Sequence, residues 1–233
     1  MAESKGSAAA RREFDREASG YDRTALASMP GYSELHRTLV RGIPFVATRA
    51  FRVLELGVGT GALSALLLSE FPHARLTGFD LSPRMIAQAR RRLRQYGRRA
   101  ELHSGRLEDA WEGEFDVVVS ALAIHHLTDP QKWKLFRRVH RSLSPGGYFG
   151  DGDDHLPEDP VFDFQYARIA YGEPVPRGHK APWRSPQAVW HDHEQFDHPC
   201  TLGAETAALS HAGFLHVGVP WQFFGQAVVW AFK

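Results

Sequence analysis

Val53-Leu54-Glu55-Leu56-Gly57-Val58-Gly59-Thr60-Gly61 is a short apolar run, interrupted by one acid, that enters a turn of three glycines. A run of this length bounded by glycine reads as a buried strand, and the apolar-periodic stretch 62–71 behind it reads as a helix. Glycines at such a junction let a ligand sit against bare backbone, while the helix start offers unpaired N–H groups to an anionic group. The turn is therefore expected to hold a nucleotide-type ligand. Gly57, Gly59 and Ala62 also fit the dinucleotide fingerprint with its terminal alanine, so these residues leave a pyridine dinucleotide and an adenosyl compound both open. The lysine of a Walker loop is missing, which disfavours ATP and GTP.

The same rhythm continues outward. Apolar runs at 75–79, 100–103, 115–120 and 148–150 alternate with amphipathic stretches at 83–96 and 130–143, which predicts a parallel sheet covered on both faces. Ser82-Pro83 and Asp129-Pro130 each place a capping side chain before a first-turn proline, and Pro145-Gly146-Gly147 stops a helix. Upstream, 14–46 is helical in pattern with Pro30-Gly31 as its break, and residues 1–12 are expected as a disordered tail. Residues 155–199 leave the rhythm, being rich in Pro, His, Asp and aromatics, and read as an inserted cap. A helix at 202–211 precedes two apolar runs, 215–219 and 226–232, whose short separation permits only a hairpin, so the last strand runs antiparallel. The expected architecture is α/β: a Rossmann-like, doubly wound, seven-stranded sheet with six parallel strands, formed by residues 13–233 with the cap inserted.

Composition narrows the function classes. With 233 residues, 43% of them hydrophobic, the chain can bury one sizeable core, and its single cysteine, Cys200, excludes an internal disulfide or a thiolate metal cluster. The first thirty residues hold no signal-like apolar run, and nothing approaches the roughly 18 apolar residues of a membrane helix, so a cytoplasmic address is expected. A balance of 28 basic against 27 acidic residues gives little attraction to nucleic acid or anionic lipid. The basic run Arg84, Arg90, Arg91, Arg92, Arg94, Arg98 and Arg99 falls largely on one expected helix whose Met85, Ile86, Ala89 and Leu93 form a buried stripe, so it reads as a solvated face.

Asp80 ends the second strand, 21 residues beyond Gly59, where a carboxylate can accept both hydroxyls of a ribose. That suits either ligand. Glu55, together with Asp80-Leu81-Ser82-Pro83-Arg84-Met85 and Pro145-Gly146-Gly147, resembles the class I S-adenosylmethionine-dependent methyltransferases. The resemblance implies S-adenosyl-L-methionine as cofactor, with Gly57, Gly59 and Gly61 enclosing its methionine part, Asp80 on the ribose, and Leu81 or Met85 on the adenine. Where that family usually carries an acid for the adenine amino group, this chain reads Ser104-Gly105-Arg106-Leu107, so the contact falls to backbone there or to Glu108 or Asp109. Tyr21 and Tyr32 are expected to close over the sulfonium with their ring faces, or else to pack in the core. Phe14-Asp15, Pro30-Gly31-Tyr32, Ala212-Gly213-Phe214 and 228–233 are similar to carboxy-S-adenosylmethionine synthases of tRNA modification. Those enzymes hold their extra carboxylate with a basic side chain near the C-terminal helix, whereas 201–214 contains no Arg or Lys, which implies a different reaction.

Methyl transfer from a sulfonium is an in-line displacement, so the protein has to align a nucleophile, take its proton and exclude water. Ligands of open parallel sheets lie at the strands' carboxyl ends, here Gly57, Asp80, Arg106, Ser120 and 151–155. His125 and His126 follow the fourth strand, and either can serve as base because imidazole titrates near neutrality; the plain alternative is loop packing. Asp151, Asp153, Asp154 and His155 are placed just after the fifth strand. Asp153 can orient an acceptor hydroxyl or a cation, and with His155 can ligate a metal, against a reading as solvated turn residues. His179, His191, His193 and His198 lie in the cap, but their spacing matches no metal motif and no metal is expected. Phe162, Phe164, Tyr166, Tyr171, Trp183 and Trp190 either wall a pocket for a flat acceptor or form the cap's own core. The expected function is methylation of an O or N atom of a small molecule. A tRNA-directed or synthase-like enzyme and a noncatalytic cofactor-binding protein are the alternatives, and a homodimer is left open.

Overall fold

The computed structural model describes residues 11–12, 14–16, 18–29, 31–109, 111–162 and 197–233. After helical stretches at 11–12 and 14–16, helices α1 (Tyr21–Ser28) and α2 (Tyr32–Arg41) lead to the sheet. The alternation then runs β1 (Arg52–Leu56), α3 (Ala62–Glu70), β2 (Arg75–Asp80), α4 (Pro83–Arg92), β3 (Ala100–Ser104), β4 (Phe115–Ala121) and α5 (Asp129–Ser142). It ends with β5 (Leu143–Asp154), α6 (Leu202–Ala212), β6 (His216–Phe223) and β7 (Gln226–Phe232). One sheet holds all seven strands in the order β3-β2-β1-β4-β5-β7-β6. β7 slots between β5 and β6 antiparallel to both, so it alone is reversed among six codirectional strands. The order switches at β1, which opens a crevice above its carboxyl end.

Alternation along β1 explains the two layers. Val53 faces a cluster with Leu35, Leu39 and Leu67, while Leu54 and Leu56 face one with Phe136, Val139 and Leu209. Ser82 caps α4 as the sequence predicts, its Oγ accepting from Met85 N–H at 3.1 Å. At α5 the cap is Thr128, not Asp129: Thr128 N–H donates to Gln131 Oε1 at 2.9 Å, and Asp129 sits in the first turn. The arginine run is also more than a solvated face. Arg90 Nη2 donates to Leu102 O at 3.0 Å, Arg99 Nη1 to Phe71 O at 3.1 Å, and Arg92 pairs with Asp22.

The largest departure from the sequence reading is β5. It starts directly after α5 and runs to Asp154, so the stretch expected as a loop of acids is strand, paired from Asp151↔Val229 to Asp154↔Gln226. Glycine and aspartate supply no apolar alternation, which hid it. A Cβ on Gly152 would lie 2.6 Å from Leu35 Cδ2, and one on Gly150 3.0 Å from Leu39 Cδ2, so α2 rests on bare strand backbone. Gly152→Val is expected to destabilise the fold by about 1–3 kcal/mol through overpacking, read as a lowered denaturation midpoint at unchanged slope.

Arg11 and Arg12 are already helical, whereas residues 1–10 of the expected tail lie outside the described residues. The bulk of the cap, with Phe164, Tyr166, Tyr171, Trp183, Trp190, His179, His191 and His193, also lies outside them. Of its described edges, Leu156 bridges Thr201 and Phe162 is half exposed. Among the described residues no helix is long and apolar enough to cross a membrane.

Candidate active site

A cavity of about 230 Å³ opens above the carboxyl ends of β1, β2 and β4. The three glycines of the turn all adopt positive φ, 79°, 53° and 81°, but each does something different. A Cβ on Gly57 would meet Ala123 Cβ at 2.3 Å, so this residue lets the turn touch the loop after β4. Gly59 has nothing within 4 Å of its Cβ direction and lines the cavity. Gly61, expected as a cofactor contact, presents its Cβ direction to α4, 3.2 Å from Ala89, and is outside the cavity lining.

Asp80 borders the cavity and organises the turn. Its Oδ2 accepts from Gly59 N–H and its Oδ1 from Ser82 N–H, each at 2.8 Å. Burial pushes its carboxyl up to about 6, against the pull of those two donors, so it is ionised at neutral pH. Each oxygen keeps a second lone pair for a ribose hydroxyl. Below it, Glu55 is fully buried in the floor and accepts from Ser64 Oγ at 2.5 Å; burial carries its carboxyl up to about 8.

At one end Leu81, Met85, Arg106 and Leu107 line the cavity as expected. Of the two acids considered there, Glu108 is the one in the lining. Its Oε1 accepts from Arg106 Nη2 at 2.7 Å and from Gln131 Nε2 at 2.6 Å, while Asp109 turns back onto Arg106 N–H at 2.8 Å. Tyr21 and Tyr32 also border the cavity, joined by Phe14 and by His36, which the sequence reading missed. The signal for His36 was its place one helical turn after Tyr32, whose ring it meets edge-on at 4.4 Å. Burial lowers His36 to about 4 and so keeps it neutral, and it raises the Tyr32 phenol. The N-terminal segment is tied down by Asp22 on Thr60 Oγ1 at 2.5 Å and by Asp15, which accepts from Ser82 Oγ at 2.6 Å.

The two histidines after β4 part company. His126 lines the cavity, with its Nδ1 2.6 Å from Asp197 Oδ1 and the Phe14 ring edge-on at 5.0 Å. Burial and the charge of His125 lower the His126 pKa, outweighing Asp197. His125 lies behind the lining, its Nδ1 bonded to the Asp153 carboxylate and its backbone N–H donating to Asp153 Oδ2 at 2.8 Å. Burial works against a charged ring there, yet Asp153 lifts His125 to about 10 and is itself held below its ordinary range.

The remaining candidates form a buried polar layer between the sheet and α5 and α6. Asp153 and His155, expected at the reacting centre, are 2% and 5% exposed and outside the cavity lining. His155 Nε2 is 2.6 Å from Glu205 Oε2, Lys132 Nζ bonds His198 O, and burial with Glu205 and Asp153 nearby pushes Asp151 well above its usual value. Ser120, expected as a cofactor contact, stands in β4 opposite Asp151, fully buried and outside the lining. His198, from the cap's described edge, does reach the cavity.

These charges set the pH response of the ligand-free protein. His125 sits above its ordinary 6.5, so its contribution is complete below about 6.5 and is lost as pH rises through about 10. Glu55, held at about 8, adds an opposing penalty that grows from its ordinary 4.5 up to that value. The melting temperature is therefore expected to fall between pH 6.5 and 10, and Asp153→Asn to flatten that decline in a calorimetric pH series.

Comparison with known proteins agrees with this geometry. A family model described as a methyltransferase domain matches residues 53–147. A malonyl-[acyl-carrier protein] O-methyltransferase of Chlorobium phaeovibrioides is 36% identical over 140 residues, covering 54% of this chain and 52% of that protein. A carboxy-S-adenosyl-L-methionine synthase of Campylobacter lari is 24% identical over 148 residues, 63% of each chain. The N-methyltransferase NodS of Bradyrhizobium japonicum, solved with S-adenosyl-l-homocysteine, shares the fold at a TM-score of 0.66 and 19% identity, covering 96% of this chain and 97% of that one. Over residues 53–147 this chain resembles a methyltransferase domain, and it shares its fold with an enzyme solved with S-adenosyl-l-homocysteine. It spans about half the length of the first of these relatives.

Proposed function

We propose that the chain methylates an O or N atom of a small molecule, with His126 taking the acceptor's proton. The observation that carries this reading is His126 on the cavity wall, its ring held from behind by Asp197. A hydrogen bond from Nδ1–H to Asp197 fixes the tautomer and leaves Nε2 bare, and the lowered pKa keeps the ring a free base at neutral pH. S-adenosyl-L-methionine, the cofactor the resemblance implies, would supply a methyl group activated by its sulfonium. His126 Nε2 would take the proton that the acceptor gives up as it is methylated. Asp80 and Glu108 are read as holding ribose and adenine, and Tyr21, Tyr32 and Phe14 as excluding water around the reacting centre.

The O-methyltransferase and N-methyltransferase names among the relatives and neighbours support both acceptor atoms. A cavity of about 230 Å³ and a net charge of +1 favour a metabolite over a nucleic acid, and a cytoplasmic setting suits such a partner. Homodimerisation stays an expectation, read by sedimentation of the purified chain. Production of S-adenosylhomocysteine is the test, measured across phenols, amines and carboxylates in parallel with wild type and His126→Ala. Turnover of one class by wild type supports the reading, whereas equal turnover by the variant removes His126 from the reaction.

A further inference from the structure

The two histidines and Asp197 do more than separate into a base and a buried ion pair. One nitrogen from each ring and an Asp197 oxygen all lie within 4.8 Å of one another. His126 Nδ1 is 2.6 Å and His125 Nε2 3.7 Å from Asp197 Oδ1. Ligand atoms about 2.0 Å from a tetrahedral zinc stand about 3.3 Å apart, a spacing that falls between the two contacts to Asp197. His125 is already oriented for this. Its Nδ1 is engaged by Asp153, which aims Nε2 at Asp197, and Asp153 is held in turn by the backbone N–H groups of His125 and Asp154 at 2.8 and 2.9 Å. A carboxylate behind a histidine, fixing which nitrogen is presented, is the outer-shell arrangement that metal-ligating histidines use.

We propose that His125 Nε2, His126 Nδ1 and Asp197 form a site for a divalent transition metal of the zinc class, and that its occupation switches off the His126 base. Two imidazoles and one carboxylate suit a borderline cation, with a fourth position left toward the cavity that His126 lines. The switch follows from proton accounting. Without metal, His126 keeps its proton on Nδ1 toward Asp197 and its lone pair on Nε2. With the cation on Nδ1 the proton must move to Nε2, which then donates and cannot accept, while His125 releases its Nε2 proton to solvent. The binding claim stands on geometry alone, and only the inhibition rests on the proposed role of His126.

Purified, chelator-treated protein is titrated with Co²⁺ while its d–d absorption is followed, and with Zn²⁺ by calorimetry. One saturable equivalent with a tetrahedral spectrum is expected, weakened at least tenfold in His125→Gln. Asp197→Asn, which keeps the side-chain volume, should weaken uptake similarly and covers the case in which the first variant does not fold. Turnover by wild type should fall on adding Zn²⁺ and return with chelator, and whatever turnover His125→Gln retains should be indifferent to Zn²⁺. Absence of saturable uptake, or equal affinity in both folded variants, overturns the site. Stimulation by Zn²⁺ overturns the switch. If no acceptor is ever methylated, the proposed function fails while the cobalt spectrum still decides the site.

Discussion

His126→Ala is expected to lower turnover by about 10²–10⁴-fold while leaving cofactor affinity within about threefold. The imidazole faces the cavity from the 3₁₀ turn after β4, not from the glycine turn or the Asp80 corner, so removing it spares the groups read as cofactor contacts. Rate constants for methyl transfer beside equilibrium binding of S-adenosylhomocysteine separate the two effects. A second substitution sharpens the result. Asp197→Asn keeps the volume but no longer holds Nδ1–H with a charged acceptor, so the pH–rate profile is expected to shift and not merely to drop. If Ala and wild type share one profile and one rate, the proton leaves by another route and the dyad is structural.

Asp80→Ala carries the other large effect, on binding. The carboxylate is read as accepting two ribose hydroxyls, and hydrogen bonds to a charged group are each worth about 1.5–3 kcal/mol. It also holds Gly59 N–H and Ser82 N–H, so its loss frees the turn as well as the ribose. Affinity for S-adenosylmethionine and S-adenosylhomocysteine is expected to fall at least 100-fold, measured by calorimetry. Asp80→Asn should sit between, since its amide oxygen can still serve one side. Unchanged affinity in the alanine variant would mean the ribose lies elsewhere.

The β1–turn–α3 unit was readable because three glycines between an apolar run and an amphipathic one leave few other conformations, and Asp80 and Ser82 followed from the next repeat. Strand β5 was not, because its carboxyl half is glycine and aspartate, whose burial depends on α2 on one face and α5 and α6 on the other. Periodicity carries no information about partners that distant. The histidine pair was found, but which ring meets the cavity is decided by Asp153 and Asp197, 28 and 71 residues away in sequence from the rings they hold. Gly61 and Ser120 were assigned by position alone, whereas the direction a Cβ would take at Gly61 points to α4 and Ser120 is buried in the sheet.

The bare backbone at Gly150 and Gly152 joins the two halves of the crevice. Leu35 and Leu39 of α2 bed directly on this strand, and the same helix carries Tyr32 and His36. One residue further along the strand, facing the opposite layer, Asp153 anchors His125 beside His126. The helix that carries two cavity-lining rings and the carboxylate that sets the His125 ring are thus separated by a single thickness of peptide.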